Sequence, residues 1–252
     1  MTLPISDQIV LVTGAGRGLG AAIAKAFARE GAHVIVNYRK SQAQAERLAE
    51  ELGDRARAMQ ADVRNLSALH TLAKDLEGSA PTTIVHNALA DYSFNGDGRD
   101  TIFGLQANAL HAQLETAVAG ALNLMQVFGP SMQAEGFGRV VTIGSNLVQN
   151  PVVPYHDYTA AKSALLALTR TAAAELGPHG VTVNMGSGGL LRVTDASAAT
   201  PDEVFDYIAA NTPLRSVTTP DELADAVLFF ASPWARAITG QNLIVDGGLV
   251  FG

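Results

Sequence analysis

The sequence predicts an α/β fold, one domain built on a doubly wound parallel sheet of about seven strands with helices on both faces. Three observations carry this. Short apolar, β-branched runs alternate with alanine- and leucine-rich helical stretches along the 252 residues. A glycine-rich turn, Thr13-Gly14-Ala15-Gly16-Arg17-Gly18-Leu19-Gly20, joins the first strand-like run to the first helix-like one. No internal repeat, low-complexity tract or proline-rich linker divides the chain, so residues 1–252 read as one domain.

The elements follow in order. Residues 8–13 are apolar and β-branched and read as a strand; residues 21–30 carry Ile23, Ala24 and Phe27 at helical spacing. A strand over 32–38 precedes a charged amphipathic helix over 41–52. Residues 55–60 form a short strand ending near Asp62-Val63, and a helix over 66–76 leads to the fourth strand, 82–86. A long helical stretch, 107–132, is followed by a fifth strand, 138–143, and an alanine-leucine helix, 157–176. Residues 181–183 are the sixth strand, 221–231 a helix, and 241–245 the last strand, closed by Asp246-Gly247-Gly248. Two stretches lack this pattern, near 89–106 and 187–215, and are expected to be substrate loops. The alternation is Rossmann-type.

Composition narrows the function. Hydrophobic residues are 48% and charged ones 16%, as in ordinary globular proteins. A net charge of -7 and a pI near 5.3 argue against a nucleic-acid partner, which favours a basic face. With no cysteine, disulfides, thiolate chemistry and cysteine metal sites are excluded, and His111, His156 and His179 lack metal-ligand spacing. The N-terminus has no basic start or long apolar segment, and the apolar runs are too short or too interrupted to span a bilayer, so a cytoplasmic location is expected by default.

The glycine turn is placed to bind an anion. Glycines allow a tight turn and close backbone approach, and a helix N-terminus offers free N–H groups to a pyrophosphate. Further on, Tyr158 and Lys162 stand four residues apart, with Ser145 thirteen positions before the tyrosine. Such a trio can move a proton onto a carbonyl oxygen while a nicotinamide delivers hydride. A tyrosine near pKa 10 is a poor acid-base group at neutrality, and an ammonium one turn away is expected to lower that value. A nearby serine hydroxyl can hold the oxygen as charge develops. Tyr-x-x-x-Lys spacing arises readily by chance, so its weight comes from the upstream turn.

Taken together, the 13–20 turn, Asp62-Val63, Asn87-Ala88, Ile143-Gly144-Ser145, Tyr158 to Lys162, Val183-Asn184, Thr239-Gly240-Gln241 and Val245-Asp246-Gly247-Gly248 resemble the short-chain dehydrogenase/reductase family over nearly the full length. The chain is most similar to its 3-oxoacyl-acyl-carrier-protein reductases. The resemblance implies a nicotinamide-dependent oxidoreductase, usually a homotetramer that packs through two long helices and the C-terminal strand. It implies that Tyr158 is the general acid-base, that Lys162 binds the nicotinamide ribose and lowers the tyrosine pKa, and that Ser145 positions the carbonyl. The implied cofactor contacts are Gly14, Arg17, Gly18, Leu19, Gly20, Tyr38, Arg39, Asp62, Val63, Asn87, Ala88, Tyr158 and Lys162. Tyr155 is expected to line the substrate pocket beside Ser145.

Charge favours NADP(H). Enzymes preferring NAD place an acid at the end of the second strand. Here that end reads Val36-Asn37-Tyr38-Arg39-Lys40, with Arg17 in the turn as a third cation.

Three departures bear on activity. The family's Asn-Asn-Ala-Gly run is here His86-Asn87-Ala88-Leu89, so the local loop is expected to differ, and His86 reads as structural or as a cofactor contact. Gly188-Gly189 replaces Pro-Gly after the sixth strand, which is expected to loosen a loop by the nicotinamide. Ala117 stands where the family has an asparagine that helps hold a relay water. The Ala117 carbonyl is expected to hold that water instead, and Asn123 to point elsewhere. The polar stretch 91–104, with Asp97, Arg99 and Asp100, is several residues longer than in relatives and is expected to shape an entrance. Leu191, Val193 and Phe205 are expected to form an apolar wall. The chain therefore reads as an NADP(H)-dependent reductase of a 3-oxoacyl thioester. The alternatives are a reductase of another ketone, or a weakly active NADP(H)-binding subunit of a hetero-oligomer.

Overall fold

Alternate strand residues face opposite sides of the sheet, and the core divides accordingly. Val10, Val12, Val34 and Val36 pack with Ile23, Phe27, Val227 and Phe230 on one side. Leu11 and Ile35 pack with Leu69, Leu72, Leu124 and Phe128 on the other. With both faces covered, consecutive residues of these strands are apolar, as buried parallel strands favour.

The computed structural model describes residues 2–251, apart from 77, 91, 93, 95–97 and 193. The expected Asp97 and Val193 contributions lie outside the described residues. The elements run β1 (Ile9–Val12), α1 (Gly18–Arg29), β2 (His33–Tyr38), α2 (Gln42–Leu52), β3 (Ala56–Gln60), α3 (Leu66–Asp75) and β4 (Thr83–His86). They continue α4 (Ala107–Leu114), α5 (Gly120–Glu135), β5 (Gly138–Ser145), α6 (His156–Leu176), β6 (Val181–Gly188), α7 (Asp202–Asn211), α8 (Pro220–Ala231) and β7 (Asn242–Val245). The sheet has seven strands in the order β3-β2-β1-β4-β5-β6-β7, all parallel. Strand order reverses between β1 and β4, and in such sheets ligands bind in the crevice at the carboxyl ends beside that reversal.

Several boundaries differ from the sequence expectation. β5 and β6 run on to Ser145 and Gly188, which pair with each other. Gly188 is thus a buried strand residue with a further partner in Val245, not part of a loosened loop. The stretch expected to be helical over 107–132 continues to Glu135 but contains a π-turn over Glu115–Ala119. α7 lies in the expected 187–215 loop, and its extended Pro201 N-cap and first-turn Asp202 and Glu203 are the local signals for it. Among the described residues, no helix is long and apolar enough to cross a membrane.

Candidate active site

The turn after β1 is held from below. Thr13 Oγ1 accepts the backbone N–H groups of Asn87 and Ala88, each at 3.0 Å. Asn87 Nδ2 donates to the Thr13 and Gly14 carbonyls at 3.0 and 3.2 Å. The ends of β1 and β4 are thereby locked together at the reversal point. Gly14 has φ +63°, and a Cβ there would meet the Ala88 Cα at 3.1 Å. Gly20 has no room for a Cβ, which would run into the Gly14 carbonyl oxygen and, at 2.9 Å, the Ala15 Cα.

α1 starts without a side-chain cap or a first-turn acid, and Arg17 is its N-cap. The first helical bond runs from Ala21 N–H to the Arg17 carbonyl at 3.2 Å, leaving the N–H groups of Gly18, Leu19 and Gly20 ahead of the ladder. An uncapped helix N-terminus with an adjacent cation suits an anionic phosphate.

At the end of β2, Asn37 and Tyr38 point into the protein. Asn37 Nδ2 donates to the Met59 and Ala61 carbonyls at 3.2 Å each. The Tyr38 ring is buried in the core, which corrects the expectation that its side chain stands at the strand end to meet the cofactor. Arg39 remains partly exposed there, close enough to help hold Asp62 ionised. The main hold on Asp62 is Arg64, whose Nη2 lies 2.6 Å from Oδ2 and whose Nε donates to Oδ1 at 3.0 Å; together they keep the carboxyl below its usual range. Asn123 donates to the Val63 carbonyl at 2.9 Å, so it is a structural tie, as its spacing suggested.

The catalytic candidates meet at the carboxyl edge of β5. Ser145 is the last residue of that strand, and its Oγ accepts the Leu147 N–H at 3.2 Å. Asn146 next to it donates to Asp246 Oδ2 at 3.0 Å, and the same carboxylate accepts the N–H groups of Gly248 and Val250 at 3.1 Å each. Pairing with Gly188 of β6 and the Leu147 N–H therefore fix the serine, and Asp246 holds its neighbour. Tyr158 and Lys162 lie one turn apart in α6, both buried, and the Ser145 hydroxyl is near enough to Tyr158 to pull its pKa down.

Electrostatics at Tyr158 differ from expectation. Burial pushes its pKa up to about 12, opposed by the Ser145 hydroxyl. The lysine does not pull it down, because Lys162 Nζ is turned to the Ile143 carbonyl at 2.6 Å and sits 5.5 Å from the tyrosine ring centroid. Burial also lowers the Lys162 pKa to about 8.

His86 resolves as structural. It is buried between β1 and the π-turn, with Nδ1 3.4 Å from Thr13 Oγ1 and Nε2 3.0 Å from the Ala117 carbonyl. Burial first and the Lys162 charge second hold its pKa down to about 4, so the ring is neutral and bonds the carbonyl through Nε2–H. The Ala117 carbonyl, expected to be available for a relay water, is already engaged by this histidine.

Sequence reasoning missed the aromatic cover over Tyr158. The Tyr92 ring stacks on the Tyr158 ring with centroids 5.1 Å apart and 27° between planes, and Phe94 meets it edge-on at 5.3 Å. Both also contact Tyr155, each at 5.7 Å. Asp157, buried beside Tyr158, is paired with Arg99 at 2.9 Å, and the Arg99 guanidinium lies 4.2 Å over Tyr92. The dense polar composition of 91–104 concealed these two aromatics. Phe205 is buried in α7 with Arg192 5.5 Å over its ring, and Leu191 lies half-buried nearby in sequence.

Comparison with known proteins decides the family. A family model described as "Enoyl-(Acyl carrier protein) reductase" matches residues 14–250. A Staphylococcus aureus (strain Mu50) 3-oxoacyl-acyl-carrier-protein reductase is 32% identical over 95% of this chain and 96% of its own. This chain belongs to the short-chain dehydrogenase/reductase family. An A-factor type gamma-butyrolactone 1'-reductase of Streptomyces virginiae is 34% identical, covering 97% of this chain and 96% of the relative. The crystal structure of a gluconate 5-dehydrogenase from Burkholderia cenocepacia J2315, in complex with NADP and tartrate, superposes with TM-score 0.88 at 26% identity, over 98% of this chain and 96% of that one. The short-chain dehydrogenase/reductase is thus an oxidoreductase using a nicotinamide cofactor, and its relatives act on differing substrates.

Proposed function

We propose that this short-chain dehydrogenase/reductase is an NADPH-dependent carbonyl reductase whose first substrate class to test is a 3-oxoacyl thioester. The observation that carries the reading is the Tyr158–Ser145 hydroxyl pair, with Lys162 one turn on, at the carboxyl edge of the sheet beside the open α1 terminus. The nicotinamide, when bound, supplies a hydride to the carbonyl carbon. Tyr158 gives its proton to the carbonyl oxygen, and Ser145 hydrogen-bonds that oxygen as negative charge develops. The product is the alcohol, and the phenolate left on Tyr158 is reprotonated from solvent. Lys162 stabilises that phenolate and holds the cofactor ribose, a role that requires its ammonium to leave the Ile143 carbonyl. The glycine turn holds the pyrophosphate through Gly14, Gly18, Leu19 and Gly20. Asp62, Val63, Asn87 and Ala88 border the rest of the cofactor, and Arg39 and Arg17 favour a 2′-phosphate. Tyr155 borders the substrate.

Reduction of a different ketone is the second reading, favoured by the lactone and gluconate enzymes among the relatives. An inactive subunit is disfavoured, since it has no need of the whole Ser145-Tyr158-Lys162 set. NADPH oxidation with a panel of carbonyl compounds tests the reading. Tyr158→Phe, which keeps the ring, is expected to lose nearly all turnover and to retain NADPH binding. Unchanged turnover in that variant would falsify the assignment.

A further inference from the structure

Tyr158 is enclosed by two rings from outside its own helix. Tyr92 lies flat on it, Phe94 meets it at 89°, and both rings also touch Tyr155. The four form one cluster, with Tyr92 and Phe94 in mutual contact at 5.2 Å. The cover is anchored at several points. Arg99 bridges the outer face of Tyr92 and the buried carboxylate of Asp157, donating to Oδ1 and Oδ2 at 3.1 and 2.9 Å. Phe94 N–H donates to the Ala196 carbonyl at 3.1 Å, and its own carbonyl accepts from Thr200 Oγ1 at 3.3 Å. Removing Arg99 would leave a buried charge unpaired on the turn that carries Tyr158, so this anchoring is tied to the integrity of the site itself.

One polar atom is left over. The Tyr92 hydroxyl is buried and makes no hydrogen bond among the described residues. A buried phenol without a partner is costly in a finished core but useful where a ligand completes it. The rings cover the face of Tyr158 and leave its hydroxyl to Ser145, so they restrict what flanks a carbonyl held at that hydroxyl.

We propose that Tyr92 and Phe94 are the specificity-determining residues of this reductase. They select ketones with a small or flat, hydrogen-bonding group beside the carbonyl and reject bulky branched ones, and Arg99 holds them in place through Asp157. This rests on the reading of Tyr158 as proton donor. The selection is steric, through the two rings, and polar, through the Tyr92 hydroxyl. Among 3-oxoacyl thioesters it favours short chains.

The test compares kcat/KM for a short 3-oxoacyl thioester, a long one and a bulky bicyclic ketone. In Tyr92→Ala/Phe94→Ala the ratio of bulky to small substrate is expected to rise roughly tenfold or more, the scale on which apolar pockets discriminate. Tyr92→Phe, which removes only the hydroxyl, is expected to raise KM for the small polar ketone and to leave the bulky one unaffected. Arg99→Ala is expected to shift the ratio in the same direction as the double variant, but less. A ratio that stays at the wild-type value in the double variant and in Arg99→Ala, with both folded, overturns the proposal. Calorimetric binding of the panel, with NADPH present, to Tyr158→Phe with and without the double change separates this from failure of the function. If no ketone turns over but bulky ketones bind more tightly once the two rings are removed, the wall stands and the reductase reading falls.

Discussion

A single buried residue can tie the stability of a fold to acid, and among the described residues His86 is placed to do so. Its ordinary pKa of 6.5 falls to about 4 in the fold because burial disfavours the charged ring. The unfolded chain therefore takes the proton first. Stability is fully present above 6.5 and is lost as pH falls toward about 4, by roughly 3 kcal/mol. Urea unfolding at about pH 7 and at about pH 4 should show this loss in the wild type and a smaller one in His86→Gln, whose amide can still reach the Ala117 carbonyl. Equal losses in the two proteins would contradict the assignment. At the cofactor end, Arg39 is the residue to change. Tyr38 is part of the core, and an acid there would unfold the strand end as readily as it altered the ligand. Arg39→Ala is expected to weaken NADPH binding about ten- to a hundredfold and leave NADH binding little changed, the scale of one charge-assisted contact. Equal affinity of the wild type for both cofactors would remove the basis for NADP(H). The charges of Arg17, Arg39 and Lys40 were legible in the sequence. The inward turn of Tyr38 and the capture of Ala117 by His86 were not, because each depends on which partner lies across the fold.

Elements show how far periodicity reaches. The 107–132 stretch reads as helix because its side chains favour helix, but no local signal marks the π-turn at Glu115–Ala119. That turn accompanies the bond from His86 on β4, a contact between segments distant in sequence. It also decides what a repair of the family pattern would do. Ala117 is 3% exposed and packs with Ala121, Ala161 and Leu165. Ala117→Asn is therefore expected to cost about 1–3 kcal/mol by burying an amide, and to give no gain in rate. Thermal unfolding and turnover of the variant check this, and a faster, equally stable enzyme would restore the relay role for that position. Strand ends were equally opaque. Gly144, Ser145, Ser187 and Gly188 have little strand character individually, and they extend β5 and β6 because they pair with one another.

At the scale of the whole molecule, several large apolar side chains are exposed. Phe251 is 85% exposed, while Leu249 and Val250 before it are half-buried. β7 is an edge strand carrying the exposed Leu243, and Leu122 is exposed on α5. A homotetramer that buries these surfaces is expected, with light scattering at micromolar concentration giving four times the chain mass and Phe251→Ser shifting it toward smaller species. A monomer in the wild type would rule it out. The sequence by itself determined the alternation of strands and helices, the glycine turn and the Ser145-Tyr158-Lys162 set, because these rest on spacing of a few residues and on side-chain chemistry. Only the tertiary structure decided the π-turn, the direction of Lys162, the burial that raises the Tyr158 pKa, and the cover of Tyr92 and Phe94. These depend on desolvation and on contacts between segments distant in the chain, neither of which a local pattern encodes.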